Sequence, residues 1–350
     1  MMRFIIGCDF HPSYQQIAML DTQTGEVVER SLAHENKEEV RKFYAGLPGP
    51  ACVGIEASGG SQWFERLLVE LGHQMLIGDA GKIRQMENRK QKTDRRDALL
   101  LLDLLRQGRF PSIWVPTPAE RDARQLLLHR HKWVRMRTQV KNQLQAMAIN
   151  QGVRKKSKLW SVAGRAELEA LTLPPWTDRR RSDLLRLLDD MQPGILDLDR
   201  DVAEQAAARP EARRLMTHPG VGPVTALAFV LTMGPVKRFP RSKQVASYLG
   251  LIPSEDSSGG RQRLGHLTKQ GNAFLRGLLV EAAQSAVRYE PQMRREYRRL
   301  AQRKGRAIAK VAMARKLAVR LYWMLRGGQD YAQLVQVRAQ DSPGHPVVEV

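Results

Sequence analysis

Five short apolar runs in the first 79 residues leave this chain few architectures to choose from. "RFIIGC" (3–8) stops at Asp9. "QQIAMLD" (15–21) and "EVVERSL" (26–32) flank the turn signal "TQTG", and "ACVGIEAS" (51–58) and "HQMLIGD" (73–79) follow. Two stretches of helical spacing lie between the later runs. One is "ENKEEVRKFYAG" (35–46), with Val40, Phe43 and Tyr44 on one side; the other is "SQWFERLLVELG" (61–72), stopped by Gly72. A further helix opens at Thr93. Runs joined by a tight turn make a hairpin, and strand–helix alternation lays helices on the sheet faces. The predicted order is β-β-β-α-β-α-β-α, a mixed sheet covered by helices.

That order resembles the ribonuclease-H-like fold, in which the first strand and the later one ending at Glu56 lie side by side. Asp9 and Glu56 then end neighbouring strands. Asp94 and Asp97, in "QKTDRRDALLLLDLLRQG" (91–108), share one helical face by their i, i+3 spacing. Packed beside the strand ends, that helix start gathers four carboxylates, which repel one another unless a cation neutralises them. Magnesium suits such an all-oxygen set, and a pair of ions ~4 Å apart assists phosphodiester displacement. Taken singly, each acid has a plainer use: Asp9 as a turn residue, Glu56 as a surface acid, Asp94 and Asp97 as helix N-terminal acids.

Beyond the proline-rich "FPSIWVPTP" (110–118), a long helix is expected from Ala119 to about Gln151, with a seam of Trp133, Met136, Val140, Leu144 and Met147. A second seam runs through Leu184, Leu188, Met191, Ile195, Leu198 and Val202, with Pro193 and Gly194 expected to kink or split it. The seams serve either as core stripes or as a dimerising coiled coil. "HPGVGPVTA" (218–226) resembles a helix-hairpin-helix, in which Gly220 and Gly222 let a phosphate backbone approach; the alternative is a simple helical corner. "SKQVASYLGLIP" (242–253) reads as a helix ending at a proline. "SEDSSGGRQRLGHLTKQGN" (254–272) reads as a loop, with Ser257 and Ser258 among Arg261, Arg263 and Lys269. A serine there is suited to attack a phosphodiester, yet such a sequence is more often just a loop. Two basic helices follow, 273–289 and 292–326. Arg276, Arg303, Lys304 and Arg306 are candidate phosphate contacts, and Ile308, Val311, Ala312, Leu317 and Leu321 form the apolar face. The last twenty residues show little pattern and are expected to be frayed.

Charge narrows the partners. The 350 residues carry a formal +21, and residues 261–326 hold seventeen basic and three acidic side chains, a net +14. Nucleic acid is the expected partner, and an anionic membrane surface is the rival for the basic helix. No apolar run approaches the ~20 residues of a membrane span, and Asp9 interrupts any signal-peptide core. The expectation is a soluble, cytoplasmic, nucleoid-associated protein, with Cys8 and Cys52 as reduced core residues.

"GCD" with Asp9, "IEAS" with Glu56 and "KTDRRDA" with Asp94 and Asp97 resemble the DEDD signature of one group of insertion-sequence transposases. "HPGVGPVTA", "ASYLGLIP" and "SSGGRQRLGHLTKQGN" resemble that group's second domain. The resemblance covers residues 3–326. It implies a Holliday-junction-resolvase-like α/β domain (1–110), a helical coiled-coil assembly region (111–210) and a mainly α transposase domain with a helix-hairpin-helix (211–330), before a disordered tail (331–350). It also implies recombination directed by a bridge RNA that pairs with donor and target DNA. The catalytic serine, Ser258 with Ser257 as alternative, would form a phosphoserine–DNA link, with Mg2+ held by Asp9, Glu56, Asp94 and Asp97. Strand exchange would pass through a Holliday junction, in dimers that pair into tetramers. The competing functions are a metal-dependent junction resolvase or nuclease without serine chemistry, and a non-catalytic nucleic-acid binder.

Overall fold

The computed structural model describes residues 2–86, 93–153 and 158–340. The chain divides into two compact units, residues 1–115 and 116–350.

The first unit is a five-stranded sheet in the order β3-β2-β1-β4-β5, built from β1 (Phe4–Phe10), β2 (Tyr14–Asp21), β3 (Val27–Ala33), β4 (Ala51–Glu56) and β5 (Gln74–Gly78). β1 pairs antiparallel with β2 and parallel with β4, as the predicted order requires. Side chains alternate along a strand. Phe4, Ile6, Cys8 and Phe10 therefore enter one core with Tyr44 of α1 (Lys37–Ala45) and Phe64 and Leu68 of α2 (Gln62–Glu70). Gln15 is fully buried in that core, where its Nε2 donates to the Tyr44 hydroxyl at 3.0 Å. Burial pushes the Cys8 thiol far up, so it stays protonated.

Ile5, Gly7 and Asp9 take the opposite face. A short α3 (Ala80–Met86) precedes α4 (Asp94–Arg106), which covers that face with Ala98 and Leu102 against Ala18. Gly7 sets how close α4 comes: a Cβ there would stand 2.2 Å from the Ala98 carbonyl oxygen and 2.3 Å from the Leu102 nitrogen. Residues 111–115 close this unit rather than opening the next. The Asp79 N–H donates to the Pro111 carbonyl at 2.9 Å, and Ile113 N–H to that of Ile77 at 2.8 Å.

The second unit begins with α5 (Pro118–Asn150), started by a Thr117–Glu120 capping box, then α6 (Val162–Glu169) and α7 (Pro175–Ala207). α5 and α7 run antiparallel: Arg130 Nε donates to Asp199 Oδ1 at 2.7 Å, and Arg180 Nη2 to Gln143 Oε1 at 2.8 Å. Their seams meet within one chain, with Val140 and Leu144 sharing a core with Leu185 and Leu188. α7 is not split at Pro193. The helix continues through it, and Gly194 leaves room for Trp133, whose ring a Cβ would meet at 2.5 Å. Met136, assigned to the first seam, is 40% exposed.

α8 (Pro210–Met216), α9 (Pro223–Met233) and α10 (Ser242–Tyr248) follow. Ala123, Leu127, Val202 and Ala206 of the long pair join α8 and α9 in one core, so no break in packing falls at residue 210. The expected 254–272 loop contains a hairpin, β6 (Pro253–Glu255) and β7 (Leu264–Leu267). After α11 (Ala273–Tyr289), the expected 292–326 helix is two helices, α12 (Pro291–Lys304) and α13 (Arg306–Gly327), parted at Gly305 with φ +83°. α13 is the centre of the unit, with Leu317, Leu321 and Tyr322 fully buried; Ile308, assigned to its apolar face, is 56% exposed. Residues 331–340 are not frayed: they form α14 (Tyr331–Gln340), with Leu334 buried, while 341–350 lie outside the described residues. Among the described residues no helix is long and apolar enough to cross a membrane.

Candidate functional site

The parallel pairing of β1 with β4 ends at Cys8 opposite Ile55, so the next residue of each strand is Asp9 and Glu56. Both fall on the face that α4 covers. Thr93 caps α4, its hydroxyl accepting from the Arg96 N–H, which leaves Asp94 and Asp97 in the first turn. Apolar packing of Ala98, Leu101 and Leu102 fixes the helix, and the contact at Gly7 brings that turn beside Asp9.

Asp9, Asp94 and His11 converge. Their potential ligand atoms all lie within 4.8 Å of one another. His11 Nε2 is 3.2 Å from Asp9 Oδ2 and 3.7 Å from Asp94 Oδ1. Tyr14, the first residue of β2, donates its hydroxyl to Asp94 Oδ2 at 2.5 Å and stacks on the His11 ring at 4.8 Å. The Asp9 carboxyl titrates above the usual range. Burial is the largest cause, and the charges of Asp97 and Asp94 add to it while His11 opposes. Asp97 is thus near enough to act on Asp9 but stands outside the tight group, as does Glu56. The hydrogen bond to Asp94 raises the Tyr14 phenol.

Sequence reasoning missed His11 and Tyr14. Their signal was the turn "DFHPSY", which links β1 to β2 at the acidic end of the sheet. Two carboxylates and an imidazole nitrogen so spaced are a donor set that fits a divalent cation. Lys92 of "KTDRRDA" lies outside the described residues.

In the second unit, Ser258, Gly259, Gly260 and Arg261 form the hairpin's turn. Gly259 and Gly260 have φ of +57° and +76°, and the Arg261 N–H donates to the Ser258 carbonyl at 3.1 Å, a type I′ turn. The two serines differ. Ser257 Oγ donates to Glu255 Oε1 at 2.8 Å and accepts from the Arg263 N–H at 3.1 Å. The Ser258 hydroxyl is exposed and, among the described residues, has no protein partner. Arg261, in the turn, and Arg263, on the facing strand, are exposed beside it, whereas Lys269, also exposed, lies past the base of the hairpin. Arg276 is half-buried and donates to the Leu249, Gln270 and Gly271 carbonyls, which ties the base of the hairpin to α11.

Gly220 packs inward: with φ +82°, it approaches α11 so closely that a Cβ would meet the Ala286 nitrogen at 2.5 Å. Gly222 caps α9 with open space beside it. Arg303, Lys304 and Arg306 are exposed around the Gly305 break.

Two family models match the chain. One, described as a transposase of the IS110 DEDD type, covers residues 6–149; the other, described as the transposase IS116/IS110/IS902 family, covers residues 212–298. A protein of Pseudomonas aeruginosa named a probable family 20 transposase is 30% identical over 336 residues, 91% of this chain and 96% of its own length. The transposase for insertion sequence element IS1111A of Coxiella burnetii is 26% identical over 80% of this chain and 79% of its own. The corresponding protein for IS1328 of Yersinia enterocolitica is 27% identical over 82% and 86%. With matches spanning both units, the chain belongs to the IS110/IS116/IS902 family of insertion-sequence transposases, enzymes that act on DNA.

Proposed function

We propose that this transposase is an RNA-guided DNA recombinase in which Ser258 is the nucleophile and Asp9, Glu56, Asp94 and Asp97 form a Mg2+ site. The observation that carries the reading is the pairing of Asp9 with Asp94 at the end of β1, on a face shared with Glu56, in a chain that also presents a free serine hydroxyl on a cationic hairpin. A divalent ion bound at the acids would supply Lewis-acid stabilisation of charge on the reacting phosphate.

The chain's own residues do the rest. Ser258 Oγ bonds to phosphorus and gives its proton to water, and the P–O bond to one deoxyribose oxygen breaks as that oxygen takes a proton from water and leaves as a hydroxyl, giving a phosphoserine link. The type I′ turn presents that oxygen free of intramolecular bonds. Arg261 and Arg263 offset the charge of the five-coordinate phosphorus. Exposed Arg303, Lys304 and Arg306, with Lys269, contact phosphates, as does the backbone beside Gly222 at the start of α9, the second arm of a helix-hairpin-helix. Gly220 and Arg276 support this surface from within. A bridge RNA from the element's flank pairs with donor and target DNA, and the α5–α7 pair, a coiled coil within one chain, joins dimers and tetramers through its outer faces. Strand exchange then passes through a Holliday junction.

The experiment is to purify the protein from cells carrying its native flank, sequence the RNA that accompanies it, and trap protein–DNA adducts on the DNA that this RNA pairs with. A discrete flank-encoded RNA and an adduct lost in Ser258→Ala are expected. Hydrolysed four-way junctions with free ends and no adduct would establish a resolvase instead.

A further inference from the structure

The four acids of the signature do not make up the tight group at the end of β1; His11 completes it. Its Nε2 faces oxygens of two carboxylates at once, 3.2 Å from Asp9 Oδ2 and 3.7 Å from Asp94 Oδ1. Adjacent ligands of an octahedral ion with bonds of ~2.1 Å stand ~3 Å apart. These separations are near those of neighbouring ligands on a single ion, and small rotations of the side chains would close the rest.

The ring is held for that task from two sides. Tyr14 stacks on it with planes 27° apart, and Tyr14 is itself fixed by donating to Asp94 Oδ2. The other oxygen of Asp94, Oδ1, is the one turned toward His11. One tyrosine thus orients both the imidazole and the carboxylate that would share the ion. The His11 side chain is 37% exposed, so the position is open to an arriving cation.

We propose that His11 is a metal ligand through Nε2, beside Asp9 and Asp94, and that it gives the site a preference for transition-series ions such as Mn2+ over Mg2+. The inference rests on the reading of the acids as a divalent-metal site. Magnesium keeps to oxygen ligands and sheds water reluctantly, whereas ions of the transition series take an imidazole nitrogen more readily, Mn2+ the least of them. Ligation uses the Nε2 lone pair with the ring proton on Nδ1, and any proton on Nε2 is released to solvent as the ion binds.

The test uses the full-length protein with Mn2+ itself as probe. Pulsed electron paramagnetic resonance of bound Mn2+ should show nitrogen coupling that changes from 14N to 15N when only the histidines are 15N-labelled. His11→Gln should lose that coupling and weaken Mn2+ binding ~10-fold, as loss of one ligand or its support commonly does. Competition should show a smaller loss for Mg2+. Asp9→Asn should weaken both ions. Bound Mn2+ that depends on Asp9 yet carries no histidine nitrogen coupling overturns the role of His11 and leaves the acidic site standing. Mn2+ binding that is undetectable at millimolar concentration, or indifferent to Asp9→Asn, overturns the acidic site and the role of His11 together. The isotope experiment needs no variant, so a misfolded His11→Gln would not protect the inference.

Discussion

Tyr14 donates its hydroxyl to Asp94 Oδ2 at 2.5 Å, which ties the first residue of β2 to the first residue of α4. The bond leaves Oδ1 turned toward His11. Tyr14→Phe keeps the ring that stacks on His11 and removes only the donor. The expected result is an intact fold and a divalent-ion affinity lowered by about 10-fold, the usual effect of losing a group that orients a ligand. Isothermal titration of both proteins with Mn2+ reads it. Equal affinities would show that Asp94 needs no such support.

Gly7→Ala tests how the site is assembled. The added methyl would collide with α4 backbone atoms at 2.2 and 2.3 Å, and neither the helix nor the central strand can yield cheaply. Overpacking of this kind costs about 3 kcal/mol or more. Denaturant unfolding should show that loss, and divalent binding should fall with it, because α4 carries Asp94 and Asp97. Full stability would mean that α4 can lift off β1 without cost.

The strands of the first unit were legible because each is an apolar run bounded by turn residues. Asp9 and Glu56 were singled out by their positions at the ends of two of those runs, Asp94 and Asp97 by their i, i+3 spacing at the start of a helix. His11 and Tyr14 were not, because periodicity says nothing about a turn such as "DFHPSY", and only the register of β1 on β2 turns it toward α4. The β6–β7 hairpin escaped for a related reason: its strands are three and four residues long and mostly exposed, without an apolar pattern. Pro193 looked like a helix breaker, yet it stands exposed on α7 and the packing of Met191 and Ile195 on either side carries the helix through. At residue 305 the opposite happened. Continuous basic character hid a break that depends on the left-handed backbone of one glycine.

Asp9 sets the stability of the metal-free protein. Its folded-state pKa lies above the unfolded value, chiefly through burial and then through the neighbouring aspartates. The protonated form is therefore favoured by folding. That contribution is full below the ordinary carboxylate pKa of about 4 and is lost as pH rises through the raised value. In EDTA at pH 7, Asp9→Asn should melt higher than the parent, and the gap should close below about pH 4. Calorimetry at the two pH values decides it. A lower melting temperature for Asp9→Asn at pH 7 would show that the charge is already compensated without metal.

His218 gives the second unit the opposite acid response. Its ring is buried against Tyr331 of α14, Nδ1 donates to the Pro219 carbonyl at 2.8 Å, and the buried Nε2 has no hydrogen-bond partner among the described residues. Burial pushes its pKa down to about 4, with Arg320 adding to the shift and the Pro219 carbonyl and Glu290 opposing it. Folding thus favours the neutral ring. Stability is full above the unfolded pKa of about 6.5 and falls as pH drops toward 4, by on the order of 3 kcal/mol. His218→Leu should flatten that limb in urea unfolding at pH 4.5 and 7. An unchanged slope would assign the acid response to other groups.

Ser257 and Ser258 adjoin in sequence but differ in what their hydroxyls do, so their alanine variants should differ as well. Ser257 bridges Glu255 and the Arg263 N–H across the hairpin, which fixes the strand just before the turn. Ser258 opens the turn itself, with its hydroxyl free. If Ser258 attacks phosphorus, Ser258→Ala abolishes the covalent adduct. Ser257→Ala then only loosens the frame that aims it, which slows adduct formation by about 10-fold, since small displacements from the line of attack are costly. Ser257→Thr keeps a hydroxyl on Cβ and should restore most of the rate. Time courses of adduct formation on guide-matched DNA separate the two roles. Loss of the adduct in Ser257→Ala with its retention in Ser258→Ala would reverse the assignment and make Glu255, at 2.8 Å, the base that takes the serine proton.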